Sequence, residues 1–192
     1  MKTTDTSKRK FLVLLTAMFA APVIISALSM LVIKCMPPFM VNIGNHEQSL
    51  TRHILLHAIP TFIYIFIYAK LWSVEGFAHN RKYKAGLILL MITKLYSTIP
   101  HTLSLLEAVS PTALSLIHAC AAVVGIVGLF MFINNSCTSR RLRIFIKWSP
   151  FICLLANIFP LPTQLYTFAY TGINIIVFLI VYRMVCKEDS IQ

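Results

Sequence analysis

Long apolar segments separated by short polar segments make up the chain. Each apolar segment can form a membrane-crossing helix, which takes about 20 residues, and the polar segments between them are too short to form a folded domain. The pattern predicts an all-α polytopic membrane protein, a bundle of about six transmembrane helices in which residues 1–192 form a single transmembrane domain. The predicted spans are residues 11–33, 53–72, 85–107, 112–133, 144–160 and 164–185.

The composition agrees with a membrane protein. Of the 192 residues, 58% are hydrophobic and 12% are charged, whereas a soluble domain has about 25% charged residues. A net charge of +11 would suggest a nucleic-acid partner in a soluble protein. Here the basic residues form clusters that alternate with nearly uncharged segments, so we expect the lipid bilayer as partner and no nucleic acid.

The positions of the basic residues predict the orientation of the chain. Fourteen lysines and arginines lie in or beside the segments that would share one side of the membrane with the amino terminus, and two lie on the opposite side. Because lysine and arginine are enriched in cytoplasmic segments, this distribution places both termini in the cytoplasm of a bacterial-type inner membrane. The longest outer segment, residues 36–52, is predicted to be a loop.

The third predicted span carries a polar stripe. Lys94, Thr98, His101 and Ser104 follow one another at steps of four, three and three residues and therefore share one face of a helix. A charged side chain near the middle of a bilayer costs at least about 2.5 kcal/mol, so this face must point toward other helices or water. The predicted solute or proton path combines Lys94, Thr98 and His101 of this stripe with residues of spans five and six, which are Asn157, Thr167, Tyr170 and Asn174.

Spans two and four carry two packing signals. Tyr64, Tyr68 and Trp72 are predicted to form an interfacial aromatic belt at the inner end of span two, beside Lys70. In span four, small residues are predicted to allow close helix approach. These are Ala121, Gly125 and Gly128.

Histidines form a second candidate site. His57, His101 and His118 lie at a similar predicted depth in spans two, three and four, and His53 lies one turn from His57. Imidazole binds transition metals and haem iron, and it also transfers protons near neutral pH. Three interpretations therefore stay open: a haem or transition-metal site formed by these four histidines, proton or solute handling, and structural hydrogen bonds between helices.

The sequence contains no motif that indicates an enzyme. H-E-x-x-H, G-x-S-x-G, the P-loop and G-x-G-x-x-G are all absent, which favours a non-enzymatic role without excluding catalysis. The leading hypothesis is a membrane protein that binds or translocates a small solute or protons, without a cofactor, through a polar interior open to the outer side. One alternative is a haem- or metal-binding membrane redox protein. Another is an immunity or exclusion protein that recognises another membrane protein.

Overall fold

The computed structural model describes residues 5–35, 40–43, 46–49, 58–77, 79–105, 110–136, 138–158 and 163–189. Side chains are described over a smaller set, which leaves out residues 29–35, 40–43, 46–49, 97, 100–105, 111, 154–158, 163–168 and 189. The described chain forms six α-helices and one 3-10 turn, Glu75–Phe77. The helices are α1 Asp5–Cys35, α2 Ile59–Trp72, α3 Arg81–Leu105, α4 Pro111–Asn134, α5 Arg140–Ile158 and α6 Thr163–Asp189.

Between α1 and α2, an antiparallel hairpin stands where a loop is predicted. Strand β1, Met40–Ile43, pairs with β2, His46–Ser49. The loop prediction was wrong here, because the backbone N–H and C=O groups of the two short segments pair with each other. Gly44 and Asn45 separate the strands in the sequence, and a Gly-Asn dipeptide between two strands is a hairpin signal that sequence reasoning missed.

The helices are compatible with a membrane protein. Within the described residues, three stretches are long and apolar enough to cross a bilayer, Asp5–Leu28, Thr112–Asn134 and Ala169–Glu188, while Ile59–Trp72 is apolar but shorter. Large apolar side chains are exposed on the bundle surface, among them Phe62. Such a surface is typical of contact with lipid or a partner. The number of crossings and the cytoplasmic position of the termini stay predictions.

The six helices pack as a closed ring, because each helix packs on its neighbours in the chain and α6 packs on α1. Contacts show that neighbouring helices run antiparallel. Thr61 near the start of α2 contacts Thr98 near the end of α3, and the Cys153 thiol of α5 lies 3.7 Å from the Asn174 amide oxygen of α6. The ring therefore has two ends and a shared interior.

The start of α1 and the end of α6 lie at the same end of the ring. Phe11 packs against Phe132, and the Ser139 backbone N–H donates a hydrogen bond to the Glu188 carboxylate. This end comprises residues 5–15, 70–77, 79–87, 129–136, 138–147 and 181–189, and we call it the basic end, because the described lysines and arginines of the predicted cytoplasmic segments lie there. The described ends of the chain thus lie on the same side of the bundle.

An aromatic cluster forms the centre of the buried core at the basic end. It consists of Phe11, Phe77, Tyr83 and Phe132, each at most 4% exposed. The Phe77 and Tyr83 rings stack at 4.6 Å, and the Tyr83 and Phe132 centroids are 5.2 Å apart. The Tyr83 hydroxyl also donates a hydrogen bond to the Leu71 carbonyl oxygen over 3.1 Å. The aromatic cluster therefore joins α1, α2, α3 and α4.

Helices α3 and α4 approach each other closely at three glycines. A Cβ atom added to Gly86 would lie 2.5 Å from the backbone nitrogen of Phe132, and one added to Gly128 would lie 2.8 Å from the Leu89 Cβ. At Gly125 an added Cβ would lie 2.9 Å from an α3 side chain. The predicted close approach is confirmed for Gly125 and Gly128, whereas Gly86, their counterpart on α3, was missed.

Candidate functional site

A cavity of about 470 Å³ lies in the middle of the ring, next to the core of the basic end. Its lining includes residues from all six helices, so the cavity exists only because the ring is closed. We call it the central cavity. One lining residue from each helix, in chain order, is Phe19, Tyr64, Lys94, Gly125, Cys153 and Asn174.

Lys94 brings a basic group into the central cavity. Leu87 and Leu90, which are seven and four residues before it, are buried on the same face of α3, so the helix turns Lys94 toward the interior. The Lys94 Nζ atom lies 4.1 Å from the centroid of the Tyr64 ring. A cation at this distance from an aromatic face is held by a cation–π interaction. Lys94 is therefore oriented by α2 as well as by α3.

Helix α6 contributes an oriented amide. Asn174 is 7% exposed; its Nδ2 atom donates to the Tyr170 carbonyl oxygen over 2.9 Å, and its Oδ1 atom faces the Cys153 thiol. Val177 and Val181, three and seven residues further on, are buried on the same face of α6. The packing of α6 on the ring therefore points both Asn174 and Tyr170 into the central cavity with Lys94.

Thr98 has a different position from Lys94. Its hydroxyl contacts the Thr61 hydroxyl of α2 and donates to the Lys94 carbonyl oxygen over 3.2 Å. Thr93 lines the central cavity, and Thr98 is not among the described lining residues. The reason is that α3 packs against α2 on one side and α4 on the other, so one part of the predicted stripe meets a helix and another part meets the interior.

Three residues of the predicted path lie outside the described side chains. Helices α3, α5 and α6 include His101, Asn157 and Thr167 in their backbones, but their side chains fall in the parts left out. The role of the whole predicted set, including Lys94, Tyr170 and Asn174, in a solute or proton path stays a prediction.

Of the four histidines in the predicted haem or metal site, only His118 has a described side chain. This side chain is half-buried on α4 and is not among the described residues that line the central cavity. His53, His57 and the side chain of His101 lie outside the described residues. Among the residues that are described, no group of three or more His, Cys, Asp or Glu could hold a metal ion. The haem or metal site stays a prediction, which an absorption spectrum and metal analysis of the purified protein would test.

Tyr64 and Tyr68 line the central cavity instead of forming an interfacial belt. The belt prediction was wrong for these two residues, since Tyr68 is only 3% exposed and Tyr64 contacts Lys94. Trp72 does lie at the surface of the basic end, with the Lys84 Nζ atom 4.9 Å from its ring centroid. Helical spacing is the signal that could have identified the inward face of α2. Its residues are Thr61, Tyr64, Tyr68 and Leu71.

The described lining of the central cavity contains no carboxylate. Its polar groups are the Lys94 ammonium, the Asn174 amide, and hydroxyl and thiol groups such as those of Ser149 and Cys153. The Ser149 hydroxyl already donates to the Ile146 carbonyl oxygen over 2.8 Å. With Lys94 protonated, the described lining therefore carries one positive charge and no formal negative charge.

No protein-family model, curated protein or solved structure matches this chain.

Proposed function

We propose that the protein is an integral membrane protein that binds a small anionic solute in the central cavity and passes it across the membrane. The observation that carries this proposal is the position of Lys94. It is a lysine in a cavity lined by all six helices, and the described lining holds no carboxylate.

Charge selects the class of solute. An ammonium in a low-dielectric interior attracts an anion more strongly than it would in water, and it repels a cation. Lysines inside membrane bundles often mark substrate or ion pathways, because their placement is costly. Lys94 therefore favours an anion over a neutral or cationic solute of the same size.

The rest of the lining suits an anion with an apolar or aromatic body. The volume of about 470 Å³ is within the range of about 300–1,000 Å³ that small-molecule sites have. Tyr64, Tyr68 and Tyr170 provide ring surfaces, and Asn174 provides a polar group next to them. A carboxylate in the central cavity would form a charge-assisted contact with the Lys94 ammonium, next to its contact with the Tyr64 ring.

Packing favours access from the end opposite the basic end. On the basic side of the central cavity, Leu71, Leu87, Ile133 and Val181 are completely buried and close the interior. If the basic end is cytoplasmic, as the charge distribution predicts, the cavity opens toward the outer side. Transfer across the membrane would then require these buried residues on the basic side of the central cavity to move apart.

The experiment compares three probes of nearly equal size and different charge. Benzoate, benzamide and benzylammonium are titrated into the purified full-length protein in detergent, and binding is measured by equilibrium dialysis of the radiolabelled probe. We expect benzoate to bind most tightly, because only benzoate complements the Lys94 charge. Lys94→Met should weaken benzoate binding at least about tenfold, which corresponds to losing one charge-assisted contact of about 1.5–3 kcal/mol.

The matched control is Lys84→Met. Lys84 also lies over an aromatic ring, that of Trp72, but it does not line the central cavity. This variant should bind benzoate as the unmodified protein does. Equal binding of benzoate and benzamide, or equal losses in the two lysine variants, would contradict anion binding by Lys94.

A second variant separates anion binding from proton transfer. Lys94→Arg keeps a positive charge but cannot give up its proton. Benzoate binding should partly survive in Lys94→Arg, since the charge is still present. Complete loss of binding in this variant, combined with loss of proton flux in liposomes, would favour the proton-carrier interpretation instead.

A further inference from the structure

A second cavity at the basic end, distinct from the central cavity, lies between the start of α1, the end of α2 and the 3-10 turn. Its volume is about 600 Å³, and we call it the basic pocket. Three basic side chains line it, Arg9 and Lys10 from α1 and Lys70 from α2, and the one acidic residue of its described lining is Glu75. Among the described side chains, the lining therefore has a net charge of +2.

The basic pocket combines this charge with hydroxyl groups and apolar side chains. The lining includes Thr6 and Ser7 of α1 and Ser73 after α2, together with the apolar side chains of Leu14 and Val74. Arginine, lysine and hydroxyl groups are the donors that bind phosphate oxygens in proteins. Because Leu14 and Val74 also line it, the basic pocket differs from a cluster of charges that is surrounded by water alone.

The position of the basic pocket identifies the source of the phosphate. Val13 lines the pocket and is 62% exposed, and Phe66, one turn before Lys70, is also 62% exposed. The Lys70 Nζ atom lies 5.3 Å from the centroid of the Phe66 ring. The pocket therefore adjoins exposed apolar surface where the helices pass from charged to apolar residues, which is the level of the lipid headgroups.

We propose that the basic pocket binds the phosphate-bearing headgroup of an anionic phospholipid, and that the acyl chains of this lipid lie along the exposed surface at Val13 and Phe66. Basic pockets between helices at a membrane surface bind such headgroups. Because Lys10 and Lys70 belong to different helices, the bound headgroup would hold α1 and α2 together. This proposal uses residues other than those of the central cavity and does not depend on the solute that binds there.

The test measures lipid binding to the full-length protein in mixed micelles. Phosphatidylglycerol or phosphatidylcholine is added at increasing mole fraction, and native mass spectrometry counts the retained lipids. We expect saturable binding of one phosphatidylglycerol that phosphatidylcholine does not reproduce. Each basic residue near an anionic lipid surface contributes about fivefold in affinity, so Lys10→Gln combined with Lys70→Gln should raise the half-saturating mole fraction about 25-fold.

The matched control is Arg140→Gln combined with Arg141→Gln. These arginines are also exposed at the basic end, but they do not line the basic pocket. The control should change the half-saturating mole fraction less than twofold. If both double variants weakened phosphatidylglycerol binding equally, the proposal would be overturned, because the lipid would then be attracted by the overall positive charge of the basic end and not by the basic pocket.

Two further arms complete the test. Millimolar inorganic phosphate should not displace the bound phosphatidylglycerol, since it lacks the acyl chains, and displacement would overturn the assignment to a lipid. Folding of each variant is checked by its unfolding temperature in phosphatidylcholine. If the double variant does not fold, Lys10→Gln and Lys70→Gln are tested singly, and an effect below twofold in both would overturn the proposal.

Discussion

The aromatic cluster at the basic end and the central cavity are two regions of the same ring with opposite packing. In the aromatic cluster, rings from α1, α3, α4 and the 3-10 turn fill the interior, and Phe11, Tyr83 and Phe132 are fully buried. At the central cavity the same ring leaves a volume of about 470 Å³, lined by Lys94 and Asn174 among others.

The difference follows from the residues that each helix turns inward. Lipid does not drive helices together as water does, so in a membrane dispersion contacts and interhelical hydrogen bonds would have to stabilise such a bundle. Interlocking rings and the close approach of Gly86 to the Phe132 backbone provide these at the basic end. At the central cavity, polar and aromatic groups from α1, α2, α3, α5 and α6, together with small and apolar residues of α4, surround a space instead of filling it. We therefore expect substitutions to affect stability strongly at the basic end and ligand binding at the central cavity.

The largest effect is expected at Gly86, where any side chain would meet backbone. A Cβ would lie 2.5 Å from the Phe132 nitrogen and 2.8 Å from the Gly128 carbonyl oxygen, and neither atom can move unless the helix moves. Gly86→Leu should prevent α3 and α4 from packing, and little monodisperse protein should be recovered by size-exclusion chromatography in detergent.

The matched control for this prediction is Gly172. A Cβ added there would meet nothing within 4 Å, so Gly172→Ala should be neutral or should stabilise the helix by about 0.5–1 kcal/mol. A Gly86→Leu protein with the recovery of the unmodified protein would contradict the close packing of α3 on α4.

Removal of one ring from the aromatic cluster is expected to have the next largest effect. Phe132 is completely buried, and Phe132→Ala leaves a space between α1, α3 and α4, so it should lower the free energy of unfolding by about 3–5 kcal/mol. Thermal unfolding in detergent would measure this loss. Phe62→Ala is the control, since Phe62 is 73% exposed, and its effect should be small. Similar losses at both positions would mean that the aromatic cluster is not a core.

A single hydrogen bond in the aromatic cluster should have a smaller effect. Tyr83→Phe keeps the ring but removes the hydroxyl that donates to the Leu71 carbonyl oxygen, so the expected loss is about 1 kcal/mol. The same change at Tyr64 keeps the ring under Lys94 and should affect stability less. A larger loss for Tyr64→Phe than for Tyr83→Phe would reverse the contrast between the two regions.

The smallest effect on stability is expected at Lys94. Lys94→Met loses a cation–π contact, which destabilises, but it also removes a charge from the interior, which lowers the insertion cost. Because these effects oppose each other, the free energy of unfolding should change by no more than about 0.5 kcal/mol. A stability loss comparable to that of Phe132→Ala would indicate that Lys94 has a structural role rather than a role in binding.

The sequence alone determined the features that depend on segment length and local charge. Apolar segments long enough for a crossing predict helices, and the described residues form six helices, three of which contain a stretch long and apolar enough to cross a bilayer. Lysines and arginines near alternate helix ends predict that these ends share one side, and in the ring they lie together at the basic end. Lys94 was identified because a charged residue in an apolar helix must face the interior, whatever its neighbours are.

Only the tertiary structure decided which side chains meet across the ring. Tyr64 and Tyr68 read as interfacial residues because aromatic residues near a helix end are common at membrane surfaces, but the packing of α2 against α3 turns them into the central cavity. The same contact places Thr98 against α2, whereas Thr93 is the threonine of α3 that lines the central cavity. A helical period shows which residues share a face, but contacts with the neighbouring helices decide where that face points, because each helix of the ring packs on two others.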